Sequence, residues 1–177
     1  HFLDKKKKLI LVTAHRRESF GKPLRDICKA LKRIVYICPD VEVLYPVHLN
    51  PSVKKTVYRI IKGADRIHLI EPLSYEKFVH VMKLSHLILT DSGGIQEEAP
   101  SLKKPVLVMR EVTEREEGIA AGCSRLVGLD PASIVRNVVA LLDNKKLYSK
   151  MANVKNPYGD GKASKRIARI LKKIASR

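Results

Sequence analysis

Short runs of apolar residues, many of them β-branched, alternate along the chain with longer segments in which apolar residues recur every three or four positions. The short runs predict buried strands and the longer segments predict amphipathic helices. The predicted strands are Lys8–Ala14, Val41–Val47, Arg66–Ile70, His86–Thr90, Pro105–Met109 and Ser124–Val127. The predicted helices are Pro23–Ile37, Pro51–Ile61, Ser74–Leu84, Gly94–Ser101, Glu117–Ala121, Pro131–Leu142, Lys145–Ala152 and Gly161–Ala175. Repeated strand–helix alternation predicts an α/β fold, with a parallel sheet covered by helices on both faces.

Composition places the chain among globular proteins and its charge raises the question of a partner. Of its 177 residues, 45% are hydrophobic and 30% are charged, which suits one domain with a buried core. The net charge is +17, of which residues 1–8 carry +3 (four Lys, one Asp) and residues 162–177 carry +7 (seven Lys or Arg). Solvated chain ends, or faces that meet an acidic partner, explain this distribution. Nucleic-acid binding is the weaker alternative, because Trp is absent and aromatic residues make up only 5% of the chain.

The cellular location of the protein is predicted from its apolar stretches, its N-terminal residues and its cysteines. We find no stretch of 18 uncharged apolar residues and no signal-peptide pattern, so we expect neither a membrane span nor secretion. Three cysteines at scattered spacings predict reduced thiols and not a disulfide framework or a zinc site. These features together predict a cytoplasmic protein.

The segment Thr90–Glu98 (TDSGGIQEE) carries the most chemical information. Ligands of parallel α/β folds bind beyond the carboxyl ends of the strands, and this segment follows one of them. Gly93 and Gly94 allow close backbone approach where a helix begins, so free N–H groups and the Ser92 hydroxyl can bind a phosphate. The alternative is an ordinary turn in which Ser92 caps the helix. Glu98, one helical turn after Gly94, is either an acceptor for sugar hydroxyls or a solvated acid.

Two histidines follow the first two predicted strands. His15 and Arg16 come after the first strand and His48 after the second, so both rings are expected at the same sheet edge. Arginine binds phosphate or carboxylate through its planar fork, and histidine can transfer protons near neutral pH. The alternatives are a charged loop with a stray His, or a metal site, for which no suitably spaced carboxylate or Cys is found.

Further candidates follow the third and fifth strands. Arg110 and Arg115 are candidates for anion contact, with a surface ion-pair loop as the alternative. Tyr75 and Phe78 begin the helix after the third strand, where an aromatic ring either forms the wall of a base pocket or packs in the core.

Several long motifs, in order, resemble one family. They are LVTAHRRESFG, YPVHLNPSV, HLIEPL, LILTDSGGIQEEAPSLKKPVLVMR, TER and NPYGDGKAS, and together they span about Leu9 to Leu171. The chain resembles the C-terminal half of the non-hydrolysing UDP-N-acetylglucosamine (UDP-GlcNAc) 2-epimerases. That family resembles GT-B glycosyltransferases, which have two Rossmann-like domains with the nucleotide sugar in the cleft between them. The resemblance implies that this chain is the UDP-binding domain.

The resemblance also implies roles for individual residues at the nucleotide. Ser92, Gly93 and Gly94 would hold the diphosphate, Glu98 the ribose, and Arg115 would lie near the phosphates.

The remaining roles concern the base and the sugar. Phe78 and the backbone of Leu73 would contact the uracil, and His15 would be the catalytic residue at the reacting end. Arg16 and His48 would lie near a second, activating UDP-GlcNAc.

The implied reaction interconverts UDP-GlcNAc and UDP-ManNAc without a cofactor. In the family, UDP leaves by elimination and adds back after reprotonation at C2 of the sugar. This chemistry needs stabilisation of the departing diphosphate, and an acid and a base for the C2 proton. The family's acid and base carboxylates lie in an N-terminal domain that this chain does not contain. We therefore expect the chain to bind UDP weakly and to need that domain, in the same or another subunit, for turnover.

The resemblance divides the chain into three parts. Residues 1–8 would be a basic lead, residues 9–160 the Rossmann-like nucleotide-sugar domain, and residues 161–177 a basic helix that crosses to the N-terminal domain. The apolar stripe of that helix would favour self-association, so we expect a homodimer. A non-catalytic UDP-binding module and, less strongly, a nucleic-acid-binding domain remain alternative functions.

Overall fold

The computed structural model describes residues 3–4 and 6–175 and shows one six-stranded sheet with helices on both faces. The strands are β1 (Lys8–Thr13), β2 (Val41–Pro46), β3 (Ile67–Ile70), β4 (Leu87–Thr90), β5 (Val106–Val108) and β6 (Ser124–Leu126). The helices are α1 (Lys22–Ile37), α2 (Pro51–Ile61), α3 (Tyr75–Leu84), α4 (Gly93–Glu98), α5 (Glu116–Ala121), α6 (Pro131–Asp143), α7 (Lys145–Ala152) and α8 (Ala163–Ala175). Short 3-10 turns lie at Arg17–Ser19 and Ala99–Leu102. The predicted α/β class is therefore confirmed.

The sheet is parallel throughout, and its order places the ends of β1 and β4 side by side. The order is β3-β2-β1-β4-β5-β6, which is that of a Rossmann fold. The chain moves outward from β1 to β3, returns to the centre at β4, and then moves outward in the other direction. The crevice between β1 and β4 is therefore the topological switch point, where folds of this kind bind ligands.

Alternating side chains of the central strands form two separate cores. Ile10 and Val12 of β1 are fully buried in the larger core, against α1, α2 and α6. Leu11 points to the opposite face and packs with Met82 of α3 and Ala99. Because side chains on both faces of β1 are buried, the strand reads as a continuous apolar run in the sequence.

The helix predicted at Gly94–Ser101 is shorter as an α-helix than expected. The α-helix α4 begins at Gly93 and ends at Glu98, and a 3-10 turn continues to Leu102. Pro100 has no backbone N–H to donate to the carbonyl of Gln96, so the α-helical bonding pattern stops here.

The third predicted strand begins one residue late because Arg66 has a different role. Arg66 adopts a left-handed backbone with φ of 61°, and β3 begins at Ile67. Its guanidinium donates to the carbonyl oxygens of Val35, Cys38 and Val41. Arg66 thereby satisfies free carbonyls at the C-terminal end of α1 and fixes that helix to the sheet.

The last helix has no contact that buries it. Every described residue of α8 is exposed, and its apolar stripe of Ile167, Ile170, Leu171 and Ile174 shows more than half of each side chain. In the described part of the chain, no helix has the length and apolar character needed to cross a membrane. Residues 176–177 lie outside the described residues, and so does part of the basic lead predicted over residues 1–8. Lys8, the last residue of that predicted lead, belongs to β1.

Candidate functional site

The candidate site is built on the adjacent ends of β1 and β4. Thr13 and Thr90 pair in register, and their hydroxyl oxygens lie 2.6 Å apart. The next residue, Asp91, is completely buried, and its Oδ2 accepts from the backbone N–H of His15 at 2.7 Å and of Arg16 at 2.8 Å. Hydrogen bonds to a carboxylate are stronger than neutral ones, so Asp91 fixes the loop after β1 to the end of β4.

The start of α4 offers backbone N–H groups to a ligand. The N–H of Ser92 donates to the Thr90 hydroxyl at 2.9 Å, but those of Gly93, Gly94 and Ile95 have no acceptor among the described residues. Ser92 occupies the N-cap position of α4, as in the alternative interpretation, but its side chain makes no capping hydrogen bond. Three donors and a free hydroxyl therefore face one spot, as a phosphate site requires.

The Arg115 guanidinium lies against Gly93 at the start of α4. A Cβ atom on Gly93 would come within 3.2 Å of the Arg115 Cζ, so the guanidinium is in close contact with the glycine backbone. Arg115 Nε donates to Glu97 Oε1 at 2.6 Å, which directs the guanidinium toward α4. A cation beside free N–H groups strengthens the attraction for an anion.

Buried hydrogen bonds position the loop that carries Arg115. Gln96 of α4 donates to the Ser92 carbonyl at 3.2 Å and accepts from the Thr113 hydroxyl at 2.8 Å. The Thr113 hydroxyl in turn accepts from the backbone N–H of Arg115 at 3.1 Å. The start of α4 and the Arg115 loop are therefore joined through side chains that sequence spacing does not connect.

Arg110 does not serve as a free anion contact. Its guanidinium is buried, donates to Glu18 Oε1 at 2.6 Å, and forms a two-bond pair with Glu114 at 2.7 and 3.1 Å. This pairing lowers the pKa of the Glu114 carboxyl to about 2 and raises the pKa of Arg110. For Arg110 the ion-pair alternative is therefore correct, and Arg115 is the arginine directed at α4.

A cavity of about 200 Å³ at the same sheet edge collects several predicted residues. It is lined by Thr13, Ala14, His15, Pro46, His48, Pro72, Leu73, Phe78 and Ile95. The rings of His15 and His48 are stacked, with centroids 5.2 Å apart and an interplanar angle of 10°. The expectation that the two histidines share one edge is thus met, while Arg16 lies beside them with its guanidinium 3.9 Å from Glu114.

Glu98 lies outside that cavity. It lines a separate depression of about 190 Å³ with Tyr75, Val79, Met82, Ser101 and Leu102. Its charge raises the pKa of the exposed Tyr75 phenol, which lies beside the carboxylate. The structure therefore places Glu98 one helical turn from the start of α4, as predicted, but facing a neighbouring part of the surface.

Sequence reasoning missed two positioning groups. Asp91 lies in the Thr90–Glu98 segment, but the sequence analysis assigns it no role. Its position directly after a buried strand is the signal that could have identified it. The second group lies in the turn before α8, to which the sequence analysis assigned no role. In this turn the Asn156 amide donates to the Glu97 carbonyl at 3.1 Å, and the Tyr158 hydroxyl donates to the Arg115 carbonyl at 3.2 Å. This turn joins α4 to the loop that carries Arg115.

Comparisons with known proteins agree with this arrangement. The family model for UDP-N-acetylglucosamine 2-epimerases matches residues 1–172. The UDP-N-acetylglucosamine 2-epimerase of Yersinia pestis is 56% identical over 171 residues, which cover 97% of this chain and 46% of the relative. The crystal structure of the UDP-GlcNAc 2-epimerase from Neisseria meningitidis bound to UDP-GlcNAc matches with a TM-score of 0.93 at 46% identity, over 97% of this chain and 46% of that one.

A more distant structure shows the fold alone. The C-terminal domain of the Francisella tularensis glycosyltransferase LpcC matches with a TM-score of 0.69 at 19% identity, over 85% of this chain and 82% of that domain. The likeness agrees with the GT-B architecture that the resemblance implied. The chain spans less than half the length of the curated relatives it matches. Because the family model covers residues 1–172, the chain belongs to the UDP-N-acetylglucosamine 2-epimerase family, and it corresponds to the C-terminal half of its members.

Proposed function

We propose that this chain is the UDP-binding half of an enzyme that interconverts UDP-GlcNAc and UDP-ManNAc by elimination and re-addition of UDP. One observation carries the proposal: N–H groups at the start of α4 that have no acceptor among the described residues lie next to the Arg115 guanidinium, near the switch point of the sheet. A departing diphosphate develops negative charge, and fixed donors directed at that charge lower the barrier to its departure.

The diphosphate would bind at Ser92, Gly93 and Gly94. Gly94 is exposed, and a Cβ atom there would meet nothing within 4 Å, so the backbone is open to a ligand. Arg115 would contact the phosphates from the side of α5, and Glu98 would accept from ribose hydroxyls. For Glu98 this requires that the ribose lie toward the Tyr75 depression, next to the start of α4.

The base and the reacting sugar would occupy the cavity beside the diphosphate. Leu73 and Phe78 line it, which suits the uracil because a flat ring packs well on apolar side chains. His15 and Ile95 of α4 line the same cavity, so His15 would act at the reacting end. His48, which also lines the cavity, and Arg16, which follows His15 in the chain, would contact a second UDP-GlcNAc.

The acid and base for the C2 proton would come from the part of the family members that lies outside the region matched by this chain. Residues 9–160 would form the nucleotide-sugar domain, and residues 161–177 would meet the other half through the exposed stripe of α8. The same stripe supports the prediction of a homodimer. A cytoplasmic location stays a prediction, which the free thiols of all three cysteines support.

Calorimetric titration with UDP tests the proposal. Ser92→Trp fills the open start of α4 and should abolish UDP binding, while Ser149→Trp, an equal change on exposed α7 surface, should leave it intact. Absence of UDP binding to the unmodified chain at millimolar concentration contradicts the proposal.

Two further measurements separate the alternative functions. Adding the separately produced N-terminal half of a family member and assaying for UDP-ManNAc distinguishes an enzyme half from a non-catalytic UDP-binding module. Salt dependence distinguishes nucleic-acid binding, because affinity for DNA falls steeply with salt while affinity for one diphosphate falls gently.

A further inference from the structure

One oxygen of the buried Asp91 carboxylate has no hydrogen-bond donor. Oδ2 accepts from the backbone N–H groups of His15 and Arg16, and the Ser19 hydroxyl lies 3.5 Å from it. Oδ1 is buried without a hydrogen-bond partner among the described residues. A buried carboxylate oxygen without a donor is unfavourable, so its placement calls for a physical reason.

The group that faces Oδ1 is the imidazole of His15. Its Nδ1 lies 3.4 Å from Oδ1, within ion-pair distance but outside the geometry of a formed hydrogen bond. Catalytic hydrogen bonds are often long before substrate binds and shorten in the complex. The Oδ1 atom is therefore an acceptor available to the His15 ring.

We propose that Asp91 is a positioning residue that holds His15 as the Nδ1–H tautomer and so leaves Nε2 as the acceptor nitrogen of the ring. A carboxylate cannot donate, so the favourable neutral ring beside it is the one with its proton on Nδ1. The proposal builds on the assignment of His15 to the reacting end of the proposed site, but the tautomer itself can be measured without any substrate.

Two further contacts restrict the ring to this orientation. The backbone of His15 is held by the same carboxylate through its N–H at 2.7 Å, which fixes the base of the side chain. The stacked ring of His48 covers one face and limits rotation about the last side-chain bond. With backbone and ring plane both fixed, Nδ1 faces Asp91 and the rest of the ring lines the cavity.

The arrangement has a direct chemical consequence. A lone pair on Nε2 can accept a proton from a group bound in the cavity. The imidazolium so formed faces the Asp91 carboxylate, which stabilises its charge, and the proton can then return from Nε2 to the ligand. Asp91 itself neither touches the ligand nor gains the proton, which is the division of work seen in other carboxylate–histidine pairs.

Asp91→Asn tests the proposal because it keeps the size of the side chain. The asparagine oxygen would accept from the two backbone N–H groups, so its NH₂ group would face Nδ1 of His15 and donate to it. The proton of the neutral ring must then move to Nε2. We expect nitrogen-15 NMR of this chain, above the usual titration range of histidine, to show Nδ1–H in the unmodified chain and Nε2–H in D91N.

The controls make the result specific. Asp40→Asn removes an exposed carboxylate near Lys8, far from the site, and should leave the His15 tautomer unchanged. If D91N does not fold, the unmodified chain still decides the question. An Nε2–H tautomer for its His15 overturns the proposal, as does a folded D91N that retains the original tautomer. Failure of UDP to bind would contradict the proposed function while leaving this measurement unaffected.

Discussion

The Tyr158 hydroxyl links the turn before α8 to the loop that carries Arg115, so its removal gives a sharp test of the site's architecture. It accepts from the backbone N–H of Gly118 at 2.9 Å and donates to the Arg115 carbonyl at 3.2 Å. A Cβ atom on Gly118 would lie only 2.6 Å from the phenol oxygen, so the two groups are in close contact. Tyr158→Phe removes the oxygen and leaves the ring in place.

The expected loss of stability follows from these two hydrogen bonds. Each contributes about 0.5–1.5 kcal/mol net, and an unsatisfied buried donor raises the loss. The Gly118 N–H also has a longer bond of 3.3 Å to the Arg115 carbonyl, so it is not left without a partner, and we expect about 1–2 kcal/mol in total. At about 2.1 cal/mol/K per residue, a folded unit of this length loses about 3–5 °C in Tm.

Thermal unfolding followed by circular dichroism measures this shift. Tyr36→Phe is the matched control, because the Tyr36 side chain is 77% exposed and its hydroxyl can bond to water in both variants. Its Tm should change by less than about 1 °C. If the Tyr158→Phe variant has the same Tm as the Tyr36→Phe control, the idea that this turn holds the Arg115 loop is refuted.

Three further outcomes are expected. Gly93→Ala places a Cβ atom 3.2 Å from the Arg115 Cζ, so the guanidinium must shift by a few tenths of an ångström. Weakening one of its contacts in this way should reduce UDP affinity by about threefold in calorimetry, with near-unchanged Tm, and unchanged affinity contradicts the assignment of Arg115. Burial lowers the pKa of His86 below 6.5, so the unfolded chain binds its proton more readily and stability falls as pH drops below that value. His86→Phe should therefore lose less Tm than the unmodified chain between pH 7.5 and 5.5, and an equal loss would contradict this reasoning. Leu171→Glu, on the exposed stripe of α8, should reduce self-association of this chain in sedimentation velocity, whereas Lys172→Glu on the polar side should reduce it less; equal effects would argue against the apolar stripe as the contact.

The strands and helices of this fold could be predicted because the apolar residues that each one buries form a recognisable pattern within its own short segment of sequence. All six strands were predicted to within one residue at each end, since strands buried on both faces appear as apolar runs whatever their neighbours are. Deviations occurred where a particular side chain overrode the pattern. Arg66 took a left-handed backbone to serve the end of α1, and Pro100 ended the α-helical part of the segment after β4.

The proposed anion site could be suggested for a similar reason, because Ser92, Gly93 and Gly94 follow a strand and open a helix within one short segment. What the linear order could not specify is which distant groups reach that segment. By residue type Arg110 and Arg115 are equivalent, and both pair with carboxylates: Glu18 and Glu114 bind the first, while Glu97 binds the second and holds it against α4.

The sequence by itself therefore determined the strand–helix alternation, the sheet edge that carries the candidate residues and the family to which the chain belongs. Only the tertiary structure decided that β1 and β4, 77 residues apart at Thr13 and Thr90, would lie side by side. That adjacency places Asp91 against His15, and the pairing of β5 with β4 brings the Arg115 guanidinium against Gly93. The physical reason is that strand order depends on how helices cover both faces of the whole sheet, which no local pattern of apolar and polar residues encodes.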